Sequence, residues 1–302
     1  MMKPDALRKI EVIDVGPRDG LQNEAVAVDT ATKVDMIERL IEAGLRRMEV
    51  VSFVNPRRVP QMADAEAVMA RLPKRADVTY IGLVLNERGA LRAVQSGVHE
   101  FGTVAVASDS FGRRNQNQSI EESIQSCLSI MRVARNHGRS AQASIAMAFG
   151  CPFEGRIASD KVVELAERLA AGAPREIGLA DTIGAAVPGD VAELVSKVRR
   201  AVHPTPIRVH FHNTRNTGIA NVWAAIEEGA AVIDASVGGI GGCPFAPNAT
   251  GNVATEDVVY VLNHSRFDSG IDLGAIIETA KWCSGWLGRD LPGMVSRAGG
   301  FP

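Results

Sequence analysis

An excess of basic charge is missing from this sequence of 302 residues, because 33 lysines and arginines are balanced by 35 acidic residues. Nucleic acids and anionic membrane surfaces are bound by basic clusters, so neither is an expected partner. Long apolar runs are missing as well. The longest, around residues 144–149, is far below the about 20 residues that span a bilayer. The sequence therefore predicts a globular protein with some other kind of ligand.

Closely spaced cysteines are also missing. The cysteines are widely separated, and no two form a Cys-x-x-Cys motif: Cys127, Cys151, Cys243 and Cys283. This spacing favours reduced thiols over a cysteine-rich metal site. Residues 1–10 carry charges and lack the apolar core of a signal peptide, which predicts a cytoplasmic protein.

Short apolar strands alternate with amphipathic helices along the whole chain. Eight strand-like runs occur, at residues 10–15, 47–51, 78–85, 101–107, 144–148, 176–179, 207–211 and 232–237. Helical patterns lie between them, at residues 32–43, 119–136, 159–171, 190–202, 213–228 and 255–263. Eight strand–helix units without a long polar linker indicate a parallel α/β fold, and eight strands close a (β/α)8 TIM barrel.

A doubly wound α/β sheet is the competing architecture. It usually carries a glycine fingerprint after the first strand, where this sequence has Gly-Pro-Arg-Asp-Gly at residues 16–20. We therefore predict one TIM-barrel domain over residues 1–302, with the barrel at about 10–265 and a C-terminal helical extension at about 268–302. A helix at residues 273–287 is expected in that extension.

Polar residues cluster where the strands are predicted to end, which is where TIM barrels hold their sites. Arg18 and Asp19 follow the first strand, and Asp181 follows the sixth. Glu49 lies inside the second strand, where an unpaired buried carboxylate is costly, so we expect it to pair with Arg18. Asp181 taken alone is equally compatible with a helix N-cap.

His210 and His212 form a His-x-His motif on the seventh strand. Side chains alternate along a strand, so the two imidazoles point to the same face. With Asp19 they form a ligand set that leaves coordination positions open, as a catalytic metal requires. Completion by water, substrate and the amide of Asn252 favours octahedral Mg²⁺ or Mn²⁺ over Zn²⁺. A structural histidine pair is the alternative interpretation.

Cys243 differs from the other cysteines because it lies in a glycine-rich loop, residues 238–252, after the eighth strand. A loop of this composition at a barrel mouth is able to close over a substrate. A thiol at its tip is exposed and can give or take a proton, so Cys243 is a candidate catalytic residue.

Together these segments resemble the 3-hydroxy-3-methylglutaryl-CoA lyase family, a branch of the metal-dependent TIM-barrel lyases, over about residues 11–287. The motifs that carry the resemblance are GPRDGLQNE at 16–24, SFVNP at 52–56, VPQM at 59–62, GCPFEG at 150–155, DTIG at 181–184, HFH at 210–212, GGCP at 241–244 and GNVATED at 251–257. So many specific motifs in one order indicate common descent.

The resemblance implies a role for each matching residue. The implied metal ligands are Asp19, His210, His212 and Asn252. The other implied catalytic residues are Arg18 at the enolate, its neighbour Glu49, the site carboxylate Asp181, and Cys243 as the thiol of a mobile loop. The resemblance also implies a divalent metal cofactor, an acyl-CoA substrate and a homodimer.

Two departures from the family pattern fall on the expected substrate wall. Family lyases typically continue His-Asp-Thr-Tyr-Gly-Gln after the second histidine, whereas this chain has Asn213 and Arg215 in place of the carboxylate and the tyrosine. Ser144 stands where these lyases tend to carry tyrosine. Ser144 and Arg215, with Gln22 of the first motif, are therefore predicted to bind substrate. The pattern predicts the same reaction on an altered 3-hydroxy acyl-CoA, and neutral drift is the alternative.

The implied reaction is a retro-Claisen cleavage. The 3-hydroxyl loses its proton, with Asp19 or another group as base, and the bond next to the thioester-bearing carbon breaks. Arg18 stabilises the resulting enolate, and Cys243 or a neighbouring histidine such as His210 protonates it. Hydroxymethylglutaryl-CoA would yield acetyl-CoA and acetoacetate. A citramalyl-CoA lyase, a Claisen-type synthase and a non-catalytic acyl-CoA binder are the competing hypotheses.

Overall fold

The computed structural model describes residues 7–242 and 251–301, in which eight parallel strands close into a barrel. These are β1 (Glu11–Asp14), β2 (Arg47–Ser52), β3 (Thr79–Leu83), β4 (Glu100–Val106), β5 (Ser140–Ala146), β6 (Ile177–Asp181), β7 (Ile207–Phe211) and β8 (Val232–Ala235). Each strand pairs with the next, and β8 pairs with β1 from Val232 opposite Glu11 to Ala235 opposite Asp14. The predicted (β/α)8 barrel is confirmed.

Helices surround the barrel and extend beyond it. They are α1 (Thr30–Glu42), α2 (Ala65–Arg71), α3 (Glu87–Ser96), α4 (Asp109–Asn115), α5 (Ile120–Asn136), α6 (Ser159–Ala170), α7 (Pro188–Ala201), α8 (Gly218–Glu227), α9 (Thr255–Asn263), α10 (Leu273–Leu287) and α11 (Met294–Ala298). Helices α10 and α11 are the extra C-terminal helices, and α10 packs against α1 and α9. Within the described residues, none of the helices is both long and apolar enough to cross a bilayer.

Local sequence signals explain where the longest helix begins. Ser119 caps α5, because its hydroxyl accepts the backbone N–H of Glu122 at 3.2 Å while the Glu122 carboxylate accepts the N–H of Ser119 at 2.7 Å. This reciprocal pair satisfies two N–H groups that the helix leaves open. The face of α5 that carries Ile124 and Ile130 is buried against the barrel.

The prediction for the fifth strand was wrong at its start, because β5 begins at Ser140 and not at residue 144. Ser140, Gln142 and Ser144 alternate with the buried alanines Ala141 and Ala143 along this strand. These polar residues interrupt the apolar run on which the prediction rested, and in this barrel they line a polar interior. The helix predicted from residue 213 also begins later, at Gly218, because residues 213–217 form a loop at the barrel mouth.

The N-terminal end of the barrel interior holds charge in place of the branched aliphatic residues common in TIM barrels. Arg47 is 1% exposed and forms ion pairs with Glu100, Glu11 at 3.1 Å and Glu176 at 2.8 Å. Burial of a charge is costly unless it is paired, and these contacts supply the pairing. Burial lowers the pKa of Arg47, but the carboxylates of Glu176 and Glu100 outweigh it and leave the pKa above its usual value, so Arg47 is always charged. This charged cluster fills the N-terminal end of the interior, and the candidate site lies at the opposite, C-terminal end.

Candidate active site

Arg18 and Asp19 lie in a wide helical turn, Gly16–Gly20, that follows β1 directly. The carbonyl oxygen of Val15 accepts the backbone N–H groups of Arg18 at 3.2 Å and Asp19 at 2.7 Å. Turns of this π type are rare in proteins, and those that occur are often found at functional sites. Gly20 permits the turn to pack closely, because a Cβ there would lie 2.6 Å from the side chain of Ile240.

Asp14, the last residue of β1, holds this turn against two other segments of the mouth. Its carboxylate accepts the N–H of Gly16 at 2.7 Å, the N–H of Val237 at 3.0 Å and the hydroxyl of Thr255 at 2.6 Å. Val237 precedes the glycine-rich loop and Thr255 begins α9, so one buried carboxylate joins the two ends of that loop to the Arg18 turn. Burial raises the pKa of Asp14 to about 7 against the opposing hydrogen bonds.

The expected contact between Arg18 and Glu49 is present. The Nε of Arg18 donates to Glu49 Oε1, and its Nη1 donates to Asp19 Oδ1 at 2.7 Å. Side-chain exposure is 11% for Arg18 and 3% for Glu49, so the pair is largely shielded from water. Within the described parts of the chain, no hydrogen-bond partner is found for the second terminal nitrogen of Arg18. That nitrogen is available to a ligand at the mouth.

Asp19, His210 and His212 meet at the C-terminal end of the barrel. One ligand atom from each lies within 4.8 Å of the others, so the three can hold one metal ion. His210 and His212 lie one pleat apart on β7 and its extension, with ring centroids 5.2 Å apart. The structure therefore brings together three of the four predicted metal ligands as a single group.

Asn252, the fourth predicted ligand, lies beside this group. The chain re-enters the described region at Gly251 and pairs with the end of β7, with Asn252 opposite His212. The Asn252 amide nitrogen donates to Asp19 Oδ2 at 2.8 Å and to the Ile240 carbonyl oxygen at 3.1 Å. Gly241 makes this approach possible, because a Cβ there would lie 2.6 Å from the amide nitrogen.

The protonation states of Asp19 and His212 suit metal binding. Burial raises the pKa of Asp19, but Arg18 and the two histidines outweigh it and bring the pKa to about 2. Burial, reinforced by His210, lowers the pKa of His212 to about 3, which keeps it as the neutral imidazole that metals bind. Burial lowers the pKa of His210, but the hydrogen bond to Asp234 and the nearby carboxylates outweigh it, so the pKa is raised.

Two buried polar atoms show that these residues fit a metal ion. The Nδ1 of His212 and the Oδ1 of Asn252 are buried and have no hydrogen-bond partner within the described structure. Both residues are nearly inaccessible, at 4% and 3% exposed. Buried polar atoms are normally satisfied. A nitrogen and an oxygen lone pair at the edge of a carboxylate–histidine group match the donor set of a divalent cation.

Asp181 and Arg215 hold the loop after β6. Both carboxylate oxygens of Asp181 accept backbone N–H groups, from Ala185 at 2.8 Å and Ala186 at 2.9 Å. Burial raises the pKa of Asp181 despite these bonds. Arg215 is exposed, and its Nη1 donates to the carbonyl oxygens of Ile183 at 3.0 Å and Gly184 at 2.8 Å. Both residues therefore shape one wall of the mouth.

The remaining predicted residues lie at the mouth or outside the described residues. Ser144 is half-buried on β5, among fully buried neighbours, and its hydroxyl lies 3.3 Å from Gln142 Oε1. Gln22 is half-buried after the Arg18 turn, and its side-chain oxygen is buried without a described hydrogen-bond partner. Cys243 lies outside the described residues, so its catalytic role stays a prediction.

Sequence reasoning missed two charged residues that contact the site, Arg208 and Asp234. Asp234 Oδ2 lies 3.2 Å from His210 Nδ1, and Arg208 pairs with Asp234 through two hydrogen bonds. The signal was available, because Arg208 precedes His210 by two residues on the same face of β7. A charged residue inside an apolar strand indicates a buried partner of opposite charge, as it does for Glu49 in β2.

The fold and the site together define an enzyme class, a TIM barrel with a metal-binding mouth. A family model described as HMGL-like matches residues 9–282, and the chain belongs to this family. The (R)-citramalyl-CoA lyase of Chloroflexus aurantiacus is 41% identical, over 97% of this chain and 96% of that protein. The mitochondrial hydroxymethylglutaryl-CoA lyase of Gallus gallus is 40% identical, over 96% and 98%.

The solved structures give the same assignment. An HMG-CoA lyase from Acinetobacter baumannii in complex with coenzyme A and 3-methylmalate superposes with a TM-score of 0.92 at 38% identity. The superposition covers 97% of this chain and 95% of that one. The protein is a carbon–carbon lyase, as its family resemblance predicted.

Proposed function

We propose that this lyase cleaves a hydroxymethylglutaryl-CoA-like 3-hydroxy acyl-CoA to acetyl-CoA and an oxo acid, which is acetoacetate for hydroxymethylglutaryl-CoA itself. The observation that carries the proposal is the position of Arg18. Its guanidinium contacts both Glu49 and the metal ligand Asp19, with one nitrogen left for a ligand. A fixed cation directly beside a metal group suits a reaction in which negative charge moves from an alkoxide to a thioester oxygen.

The divalent ion, Mg²⁺ or Mn²⁺, would supply Lewis acidity that polarises the substrate's hydroxyl and carbonyl oxygens. Asp19, His210, His212 and Asn252 would hold it. Two of these ligands are oxygens, which is a donor set that suits Mg²⁺ or Mn²⁺ better than a site rich in sulfur. Both carboxylate oxygens of Asp19 are engaged, by Arg18 and Asn252, and its pKa of about 2 makes it a weak base, so we assign it as a ligand and not as the general base.

The chain's other residues act on the thioester end of the substrate. As the carbon–carbon bond breaks, its electron pair moves towards the thioester carbonyl and forms an enolate. Arg18 is charged at every relevant pH and places its free nitrogen where that charge develops. Glu49 fixes the guanidinium, so little reorganisation is needed during the reaction. Cys243, which follows Gly242 directly in the sequence, is proposed to protonate the carbon of the enolate.

A second candidate substrate is citramalyl-CoA, which is one methylene shorter between the carbinol carbon and the carboxylate. Two observations favour it: the 41% identity to a citramalyl-CoA lyase, and the replacement of tyrosine by Ser144 and Arg215 on the substrate wall. Ser144 is half-buried at the mouth, and Gly178 lies against it with room for no more than a hydrogen. The wall in this region is therefore built from small groups and one cation.

A substrate panel tests the proposed function. We expect the purified protein with Mg²⁺ or Mn²⁺ to cleave hydroxymethylglutaryl-CoA, citramalyl-CoA or both, with acetoacetate or pyruvate measured in separate coupled assays. Removal of the metal with a chelator should abolish cleavage, and either metal should restore it. Binding without cleavage of either ester or a longer analogue would support the non-catalytic alternative. Condensation of acetyl-CoA with an oxo acid as the faster direction would support the synthase.

Arg215→Tyr is expected to change the ranking of the two acyl-CoA substrates. The change removes a cation and both hydrogen bonds to the loop after β6, at Ile183 and Gly184, and restores the ring typical of the family. The measurement is kcat/KM for each ester. Arg215→Lys is the control, because it keeps the charge and should keep the ranking. An unchanged ratio in Arg215→Tyr would show that Arg215 does not determine specificity.

The homodimer and the cytoplasmic location belong to this proposal as well. Both come from the sequence, through the family resemblance and the charged residues 1–10. Light scattering of the purified protein tests the first, and fractionation of the source cells tests the second.

A further inference from the structure

Beneath the metal group, two buried charged residues lie side by side on β7 and β8. Arg208 and Asp234 are 2% and 3% exposed. The guanidinium of Arg208 forms a two-pronged contact, with Nε 2.6 Å from Asp234 Oδ1 and Nη2 2.7 Å from Asp234 Oδ2. This paired geometry fixes the plane of the carboxylate, which a single point contact does not do.

The fixed carboxylate of Asp234 in turn orients His210, a member of the metal group. It lies directly opposite His210 in the β7–β8 register, and its Oδ2 is 3.2 Å from His210 Nδ1. A carboxylate at Nδ1 selects the tautomer whose other ring nitrogen, Nε2, is free to bind a metal. It also limits rotation of the ring about its bond to the backbone. The position of the His210 ligand atom thus depends on a carboxylate that Arg208 holds.

The same terminal nitrogen of Arg208 that contacts Asp234 also approaches Glu49, on the substrate side of the site. This Nη2 lies 3.6 Å from Glu49 Oε2, while Glu49 Oε1 accepts from Arg18. Five residues therefore form one buried chain of alternating charge from the enolate-binding cation to the metal ligand: Arg18, Glu49, Arg208, Asp234 and His210. Arg208 is at the centre of that chain and touches neither end.

We propose that Arg208 is a positioning residue that, through Asp234 and Glu49, fixes the metal ligand His210 and the cation Arg18 in one arrangement. The inference rests on the proposed function, because it takes His210 as a ligand and Arg18 as the enolate-binding group. It assigns to Arg208 no contact with metal or substrate. Its effect must therefore appear in metal affinity and in kcat, without a change in the ligand set.

The chain provides a matched control in Arg47. Arg47 is also a fully buried arginine of the barrel interior and pairs with Glu176, which lies 3.7 Å from Arg208 as well. In the described structure Arg47 has no ion pair or hydrogen bond with Glu49, Asp234 or His210. Arg47→Met and Arg208→Met therefore remove the same charge from the same interior, but only the second acts on the chain that leads to the site.

The experiment measures Mn²⁺ affinity of the metal-free protein by electron paramagnetic resonance, together with Tm and kcat. We expect Arg208→Met to weaken Mn²⁺ binding by about 10- to 100-fold, as loss of outer-shell partners does. Arg208→Lys should recover only part of that loss, because a lysine ammonium keeps the charge but cannot form the paired contact with both oxygens of Asp234. Arg47→Met should lower Tm and leave the Mn²⁺ affinity within about twofold of the parent protein. Equal effects of the two methionine variants on Mn²⁺ affinity would overturn the inference.

Asp234→Asn keeps the inference testable if Arg208→Met does not fold. It preserves side-chain size and should weaken Mn²⁺ binding as Arg208→Met does. The double variant should show no further loss, because both changes interrupt one path. His210→Ala distinguishes failure of the proposed metal site from failure of the positioning role of Arg208. If His210→Ala still binds Mn²⁺ like the parent, the proposed metal site is wrong and the inference falls with it. If it loses binding while the Arg208 and Asp234 variants do not, the inference alone is wrong.

Discussion

Turnover of Arg18→Met is expected to fall by about 100- to 1,000-fold, the size of effect seen when one fixed donor is removed from a developing oxyanion. Methionine keeps an unbranched apolar stem similar to that of arginine but removes the guanidinium, with its charge and every N–H. The substrate's CoA portion makes no predicted contact with Arg18. The dissociation constant for a non-cleavable acyl-CoA should therefore remain close to that of the parent protein, while kcat falls.

Arg18→Lys separates charge from geometry. Lysine restores a cation beside Glu49 but supplies one ammonium in place of a fork that contacts Glu49 and Asp19 together. We expect partial recovery of kcat, to a value between those of Arg18→Met and the parent. The Tm of each variant is the control. A large fall in Tm would mean that activity is lost because Glu49, without Arg18, destabilises the barrel. Near-normal turnover of a folded Arg18→Met would refute the enolate role.

The barrel was predictable because its signal is repeated. Each strand overlaps an apolar run bounded by turn residues, and eight such runs alternate with helical patterns, so an error at one end of a strand changes little. The start of β5 at Ser140 was missed for a physical reason: a polar barrel interior removes the contrast between inward and outward residues. Helices α2, α3 and α4 were not predicted, and α2 and α4 span only seven residues each, which gives a weak periodic signal.

The site was predictable where chemistry restricts the residue type. A carboxylate inside an apolar strand needed a partner, and Glu49 has one in Arg18. Two histidines one pleat apart on a strand indicated a shared ligand, and Asp19 and Asn252 lie next to them in the structure. Arg208 carried a comparable sequence signal, but its partner Asp234 could not be identified, because their contact depends on the register of β7 against β8. A shift of one residue would turn Asp234 away from His210.

The Mn²⁺ affinity of Asp19→Asn is expected to fall by more than the about 10- to 100-fold that loss of an outer-shell partner costs. The amide keeps the size of the carboxylate but contributes no charge to a cation, and it gives the Asn252 amide nitrogen a weaker acceptor than the Asp19 oxygen at 2.8 Å. Arg18 would also lose its 2.7 Å partner beside the metal. Cleavage should therefore be lost along with metal binding, which electron paramagnetic resonance and the coupled assay measure on the same preparation.

Asp181→Asn is the matched comparison, and it distinguishes two roles that carboxylates play at this mouth. Asp181 engages both oxygens with the backbone N–H groups of Ala185 and Ala186, so an amide would place its NH2 group against a donor and loosen the loop. We expect Mn²⁺ affinity close to that of the parent and a lower kcat, because the wall moves while the ligands stay. Equal loss of Mn²⁺ in the two variants would instead mean that Asp181 belongs to the metal group. Asp19 would then share the charge of the site with a second carboxylate.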